Sequence, residues 1–525
     1  MTAFIVARAG GVAPSITSPS VLPSGTQSSA YTYTMAAFGG SPPYTWSLVS
    51  QTGTNSFSVS SAGVISSSAL HVETDSLTIQ VQDSVGATAS GVFSVQIVAS
   101  AGGSYSIRAP QAGDFYLDTT AGVDGSGTIG SPWNTISQSR LKANLSAGTA
   151  LWVRQGSTVT LPDMSLATYP QLQSGTVGSR IIFSAYPIAG NPANGWESAT
   201  ISKPTTGGVA FGGGDYWDIA NFAFSCFNTL FILGNSSGSG SSCPTNYWRF
   251  INNTGVATNT AYTDNAGVIS ADSNNDYLEI VLGGYSASNS LPFGNGAAIY
   301  INQVPHVNII GIKASGGNFA IYFKHNPNNV SAGIVKNCII QGGNRNGIGG
   351  ERAYMQYVNC AFDGSVSTGS LGLDEGGGGV AAHDCTINHC TFLNSKINQG
   401  NQGDGPVLNC ASTNNVLAGT AQWNTNAAGT AGTYNGNTID YSAVATTAGY
   451  QVPHYQTLTL AQIQSGAFGP AQEAHAVGGT VALVGGTSPG FTPANWALTG
   501  GSVGHSAASD GADIGVNAAN LLTVN

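Results

Sequence analysis

Of the chain's 38 charged side chains (14 basic plus 24 acidic), 11 fall between residues 313 and 396. Four of its eight histidines, His306, His325, His383 and His389, lie in or beside the same stretch. Three short runs there share a pattern: Ile299-Tyr300-Ile301, Ile321-Tyr322-Phe323 and Gly347-Ile348-Gly349-Gly350. If these are equivalent strands in successive turns of a repeating structure, the residues that follow them stack at one corner. Those residues are Asn302-Gln303, Lys324-His325 and Glu351-Arg352, with Asp374-Glu375 next. Strands about 4.8 Å apart bring such side chains within about 5–10 Å of one another. Two carboxyls at that separation can flank a glycosidic bond and divide acid and base roles between them. The same corner suits elimination, with Lys324 or His325 taking a proton beside a uronic carboxylate and Arg352 neutralising the developing charge. The expected catalytic set is therefore Glu351, Asp374, Glu375, Lys324, His325 and Arg352. Asn302, Gln303, Arg345 and His383 are the expected substrate-binding set. The plainer alternative is a weak surface ion pair of Glu351 with Lys324 and a loop tip at Asp374-Glu375 before Gly376.

A corner of this kind needs stacked coils, and internal repeats supply them. An apolar–Asn–(Cys or apolar) core recurs around Asn308, Asn337, Asn359, Asn388 and Asn409. Repeats of about 20–50 residues mark a solenoid, and irregular spacing means loops of varying length at fixed corners. Stacked asparagines hydrogen-bond along the axis. Cys338, Cys360, Cys390 and Cys410 are expected in the core, where free cysteine commonly sits. Trp217 and Trp248 stand in strand-like runs, so they serve packing at least as readily as sugar stacking.

Composition narrows the class. The 525 residues include 72 glycines, only 7% are charged, and the net charge is −10. Charge that sparse excludes coiled coils and helix bundles, while 41% apolar content argues against disorder. The acidic balance and the lack of basic runs argue against nucleic acid or an anionic membrane as partner. No apolar run is long enough for a membrane span, and the first ten residues lack a full signal-peptide core. Seven cysteines, spread out and odd in number, suggest no disulfide framework. Cys385 and Cys390 are loosely spaced for a metal, and Asp272, Asp276 and Glu279 for calcium. Neither set is expected to bind one, and no cofactor is expected.

The order of elements follows. Residues 1–12 read as an arm, 13–99 as a small β-sandwich and 100–105 as a linker. Residues 106–424 read as a β-solenoid, and 425–525 as its last coils with a lateral excursion that can contact other subunits. In the first domain, Tyr31–Met35 and Leu77–Gln82 alternate with period two, and Gly39-Gly40-Ser41-Pro42-Pro43 and Asp83-Ser84-Val85-Gly86 punctuate them. This segment resembles Ig-like, cadherin-like repeats, without the cadherin calcium motifs. The run Phe115-Tyr116-Leu117-Asp118, then Gly122-Val123-Asp124-Gly125, then Ser131-Pro132-Trp133-Asn134-Thr135-Ile136, and later Arg180-Ile181-Ile182-Phe183-Ser184-Ala185-Tyr186-Pro187, resembles the opening of right-handed parallel β-helix proteins of the pectate-lyase-like superfamily. The expected fold is all-β: an Ig-like β-sandwich followed by a right-handed parallel β-helix.

That combination resembles bacteriophage tailspikes and tail fibres, which are made inside the cell and act outside it as part of the virion. The resemblance implies a homotrimer, attachment to other tail proteins through the N-terminal region, and binding, often cleavage, of host surface polysaccharide. A non-enzymatic receptor-binding fibre and a bacterial surface polysaccharide lyase are the alternatives.

Overall fold

The structure is a computed structural model. It describes residues 13–98 and 105–524 except 19, 21, 23–24, 27–30, 54, 68–73, 106, 161–171, 187–198, 204–209, 212–213, 228–229, 234–245, 259–266, 272–274, 276, 289–295, 303, 325–330, 344–345, 351, 366–370, 373–382, 399–406, 425–436, 453–455, 468–470, 505–506 and 510–512. The chain divides into two compact units, residues 1–103 and 104–525.

The first unit is built of β-strands in small sheets. One sheet pairs Thr45–Thr52, Thr74–Gln82 and Thr88–Val98 antiparallel, with Gly25–Thr26 added parallel at its edge. A second joins Tyr31–Thr34, Val64–Ser67 and Ser58–Val59. Trp46, Ile65, Leu77, Ile79, Val81, Phe93 and Val95 form their shared core. The alternation read in Leu77–Gln82 appears as burial: Leu77, Ile79 and Val81 point inward and the residues between them outward. Gly63 holds a φ of 87°, and a β-carbon there would strike the Trp46 ring, so the turn requires glycine.

The second unit is a parallel β-helix whose coils each contribute up to three strands. The first ladder runs from Phe115–Leu117 through Trp217–Ala220, Arg352–Val358 and Ala411–Thr413 to Thr438–Asp440. The second runs from Thr158–Thr160 through Phe222–Cys226, Ala361–Asp363 and Val416–Ala418 to Val477–Gly479. Three long strands, Trp248–Ala257, Tyr277–Ala287 and His306–Gly316, bend at the corner and belong to both. The third ladder forms a separate sheet from Ala210–Phe211 to Gly449–Val452.

The bend between the first and second ladders has one recurring conformation. Asn221, Asn252, Leu282, Gly311, Asn337, Asn359, His389, Asn414 and Tyr441 follow in register, with φ from 52° to 66°. Asparagine suits this left-handed position, since its short amide tolerates it and can bond to the next rung. The Asn359 amide donates to Asn337 (2.8 Å) and that of Asn252 to Asn221 (2.9 Å). The sequence repeat blended three places. Asn337 and Asn359 are true corner residues, Asn308 lies out on the first ladder, and Asn388 directly precedes the corner His389. Asn409 lies at the entry to the first ladder, beside Asp384 of the neighbouring coil.

The interior is apolar and stacked. Trp217 faces Trp248 at 5.5 Å, and Phe362 faces Phe392 at 4.7 Å. Cys338, Cys360, Cys390 and Cys410 are buried, as are Cys226 and Cys385. The Cys385 and Cys390 thiols bond to backbone carbonyls, so this spacing serves packing. Burying each such large apolar side chain contributes about 1.5–3 kcal/mol.

Both ends of the stack are covered. Helix α1, Gln138–Asn144, is capped by the Ser137 hydroxyl and buries Leu141, with Leu145 following it into the core. Trp133 packs beside it, stacked on Phe115 at 5.0 Å. At the far end helix α2, Leu460–Gln464, has a Thr459/Gln462 capping box and buries Ile463. The parallel coils end at Val477–Gly479. Phe491–Leu498, expected in a final coil, belongs instead to a strap that runs back along the Asn corner. Ser509 reaches Asn414, Val516 reaches Thr391, Asn517 reaches Asn359, and Leu522 reaches Asn337. Leu483, Trp496, Ile514 and Leu521 bury against Ile339, Ala361 and Val416 beneath it.

Candidate functional site

The register foreseen for the chemical corner is the one observed. Ile299, Ile321 and Ile348 share a rung, as do Ile301, Phe323 and Gly350, and Asn302 lies opposite Lys324. Leu371 stacks on Ile348 in the coil after. Alternation explains why: the isoleucines and Phe323 turn into the core, and the strand ends emerge at the edge between the third and first ladders. Asn302 and Lys324 are half-buried there. Arg352 opens the strand Arg352–Val358, opposite Ser331. Gln303, His325, Arg345, Glu351, Asp374 and Glu375 lie outside the described residues, as does the Arg352 side chain.

At this edge His383 and Asp384 form a hydrogen-bonded pair. His383 Nδ1 lies 2.9 Å from Asp384 Oδ2, and both side chains are about a quarter exposed. Tyr354 stands one coil below, in register with Asp384, and meets the His383 ring edge-on at 5.4 Å. Both Tyr354 and Asp384 hold left-handed φ values, 56° and 54°. The bend turns their side chains outward as the chain enters the first ladder, leaving Met355 and Cys385 buried within. Burial, with the Asp384 charge adding to it, pushes the Tyr354 hydroxyl above its ordinary pKa. A carboxylate on Nδ1 fixes the imidazole tautomer and orientation and leaves Nε2 for proton transfer. His383, expected to bind substrate, lies on this edge with Asp384 as its carboxylate partner. Asp384 was missed, although the adjacent His-Asp pair was visible. Tyr354 was not visible, because only the coil register brings it there.

A second polar array lies on the outer face of the first ladder. Asp218, Arg249, Glu279 and Asn308 occupy one register position in successive coils. Asp218 takes Arg180 at 2.5 Å and Arg249 at 2.6 Å. Glu279 accepts from Tyr277 (3.0 Å), Tyr105 (3.3 Å) and Asn308 (3.4 Å). Burial pushes the Glu279 carboxyl above its usual range, against the pull of Arg249 and those donors. Asp218 and Glu279 are 3% and 7% exposed, so this array ties coils and the Tyr105 segment together instead of facing a ligand. Trp217 and Trp248 are wholly buried behind it.

No family model matches the sequence, and no curated protein matches it. Solved structures give loose matches. One is a GH136 lacto-N-biosidase from Eubacterium ramulus, at 12% identity and TM-score 0.39, covering 65% of this chain and 65% of that one. Another is a PL6 alginate lyase in complex with a trisaccharide, at 10% identity and TM-score 0.28, covering 78% and 95%. A third is the catalytic domain of a GH87 alpha-1,3-glucanase with nigerose, at 10% identity and TM-score 0.19, covering 86% and 87%. At these scores they transfer neither residues nor substrate to this chain.

Proposed function

We propose that this chain binds and cleaves polysaccharide at the edge between the third and first ladders of its β-helix. The observation that carries the reading is the His383–Asp384 dyad, about a quarter exposed beside Tyr354 on the edge that also presents Asn302 and Lys324. The remaining catalytic set is Glu351, Arg352, Asp374, Glu375 and His325, with Gln303 and Arg345 binding substrate. Glu351 stands three residues before Tyr354 in sequence, and Asp374 nine before His383. In elimination, His383 Nε2 removes the proton next to a sugar carboxylate, Lys324 or Arg352 stabilises the enolate, and Tyr354 protonates the leaving oxygen. In hydrolysis, Glu351 and Asp374 share the acid and base roles.

The wider role we propose is that of a phage tailspike, a homotrimer on the virion acting at the host cell surface. Its N-terminal unit is an Ig-like spacer leading to other tail proteins. The succession of an antiparallel β unit and a long parallel β-helix supports this reading.

Release of oligosaccharide from purified surface polysaccharides tests the reading, followed by reducing ends and by absorbance of unsaturated products. His383→Ala is expected to cut release about 10²-fold by either route, as the base in elimination and as a substrate-binding residue in hydrolysis, while Glu351→Gln and Asp374→Asn are expected to abolish it in hydrolysis; the absorbance distinguishes the two. Retained binding without release by the wild type leaves a receptor-binding fibre.

A further inference from the structure

Along the other edge of the β-helix, the C-terminal strap stands off from the Asn corner and leaves a half-open groove of about 630 Å³. One wall is the corner itself, with Lys336, Asn359 and His389. The other wall is the strap, with Leu498, Asp513 and Asn517. Hydrogen bonds pin the strap to the corner alongside the groove. Asn359 Nδ2 donates to the Asn517 carbonyl (3.2 Å), Asn359 Oδ1 accepts from the Asn517 amide (2.5 Å), and Asn337 Nδ2 donates to the Thr523 carbonyl (3.2 Å). A cleft of this size admits a small organic ligand. Its lining alternates apolar patches, Val358, Leu498 and Val516, with a cation, an imidazole, a carboxylate and amides.

We infer that this groove is a second binding site, and that its ligand is a neutral oligosaccharide segment. A sugar ring offers apolar C–H faces edged by hydroxyls, and each hydroxyl both donates and accepts. Lys336 supplies donors, Asp513 acceptors, and the Asn520 amide both. The Lys336 ammonium makes no ion pair with any described residue. One cation facing one carboxylate does not match a polyanion, which calls for clustered basic residues. The site lies on a different edge from the His383–Asp384 dyad and does not depend on cleavage there. It gives the molecule a means of holding a glycan chain while another part is processed.

The test is saturation-transfer NMR on the full chain with methyl glucoside, methyl galactoside, methyl mannoside and N-acetylglucosamine. Each is present at on the order of 10 mM, enough to populate a millimolar site. Transfer is expected from at least one sugar. It should fall several-fold in Lys336→Ala, which removes charged hydrogen bonds, and at least as far in Leu498→Trp, which fills the groove. His383→Ala is expected to leave the transfer intact, which separates this site from the other edge. Thermal midpoints of the variants establish that they are folded. No transfer from any of the four sugars overturns the proposal, as does transfer undiminished in both groove variants.

Discussion

Glu473 is a carboxyl whose surroundings disfavour its charge. It is fully buried, holds a left-handed φ of 57°, and accepts from the Tyr450 hydroxyl (2.9 Å) and the Ser442 amide (3.2 Å). Burial, the dominant cause, pushes its pKa up to about 7. A carboxyl whose pKa rises on folding stabilises the fold fully below its unfolded pKa. That contribution is lost as pH climbs through the folded value. Stability should therefore fall between about pH 4.5 and 7 by on the order of 2–3 kcal/mol. Glu473→Gln keeps the shape and should flatten this slope, and thermal midpoints across pH read it directly. Asp218 makes the opposite case. Removing it leaves Arg180 and Arg249 largely buried without their carboxylate. Asp218→Ala is therefore expected to cost about 3–5 kcal/mol in urea denaturation. Residual folded protein should still release glycan, because Asp218 holds coils together and touches no ligand.

At the scale of elements, strand register was legible and coverage was not. Alternation in Ile299–Ile301, Ile321–Phe323 and the glycine run after Asn346 sufficed to align three coils, because a period of two leaves one inward phase. The helical cover over the first coil, where Leu141 and Leu145 join Trp133, was not read from the sequence. The asparagine repeat was read, but residues of different corners were merged, since apolar–Asn–Cys looks alike at either. The strap could not be read. Its residues bond to coils 95 to 186 positions away, and nothing local marks a segment that turns back. The dyad was half legible: His383 and Asp384 are adjacent, while Tyr354 comes from the coil below. Asn359 is where strap and corner meet. Asn359→Ala loses the amide bonds to both and, with them, the side chain that makes a left-handed φ tolerable, so it should cost about 2–4 kcal/mol. Asn359→Gly keeps the backbone relaxed and should cost less by about 1 kcal/mol. Hydrogen exchange in residues 513–523 should rise in both, since the strap loses its central anchor.

The second unit is a stack in which each coil rests on its neighbours, covered by α1 at one end and α2 at the other. Such a solenoid keeps long edges rigid, and rigid edges can hold residues from several coils in fixed relation. With so few charges, the surface owes little to ion pairs, and solvent-exposed charge contributes little to a fold of this kind in any case. The tailspike reading requires three copies, so light scattering coupled to size exclusion should give three times the 53.1 kDa chain. A monomer would leave the chain an isolated polysaccharide-active β-helix. The central claim is that the edge carrying His383 and Asp384 breaks glycan chains. It is tested most directly by reducing-end release from a panel of purified bacterial surface polysaccharides, wild type beside His383→Ala. Release from at least one polysaccharide is expected, falling about 10²-fold or more in the variant at an unchanged thermal midpoint. Undiminished release by His383→Ala, or no release by the wild type from any polysaccharide it binds, would contradict it.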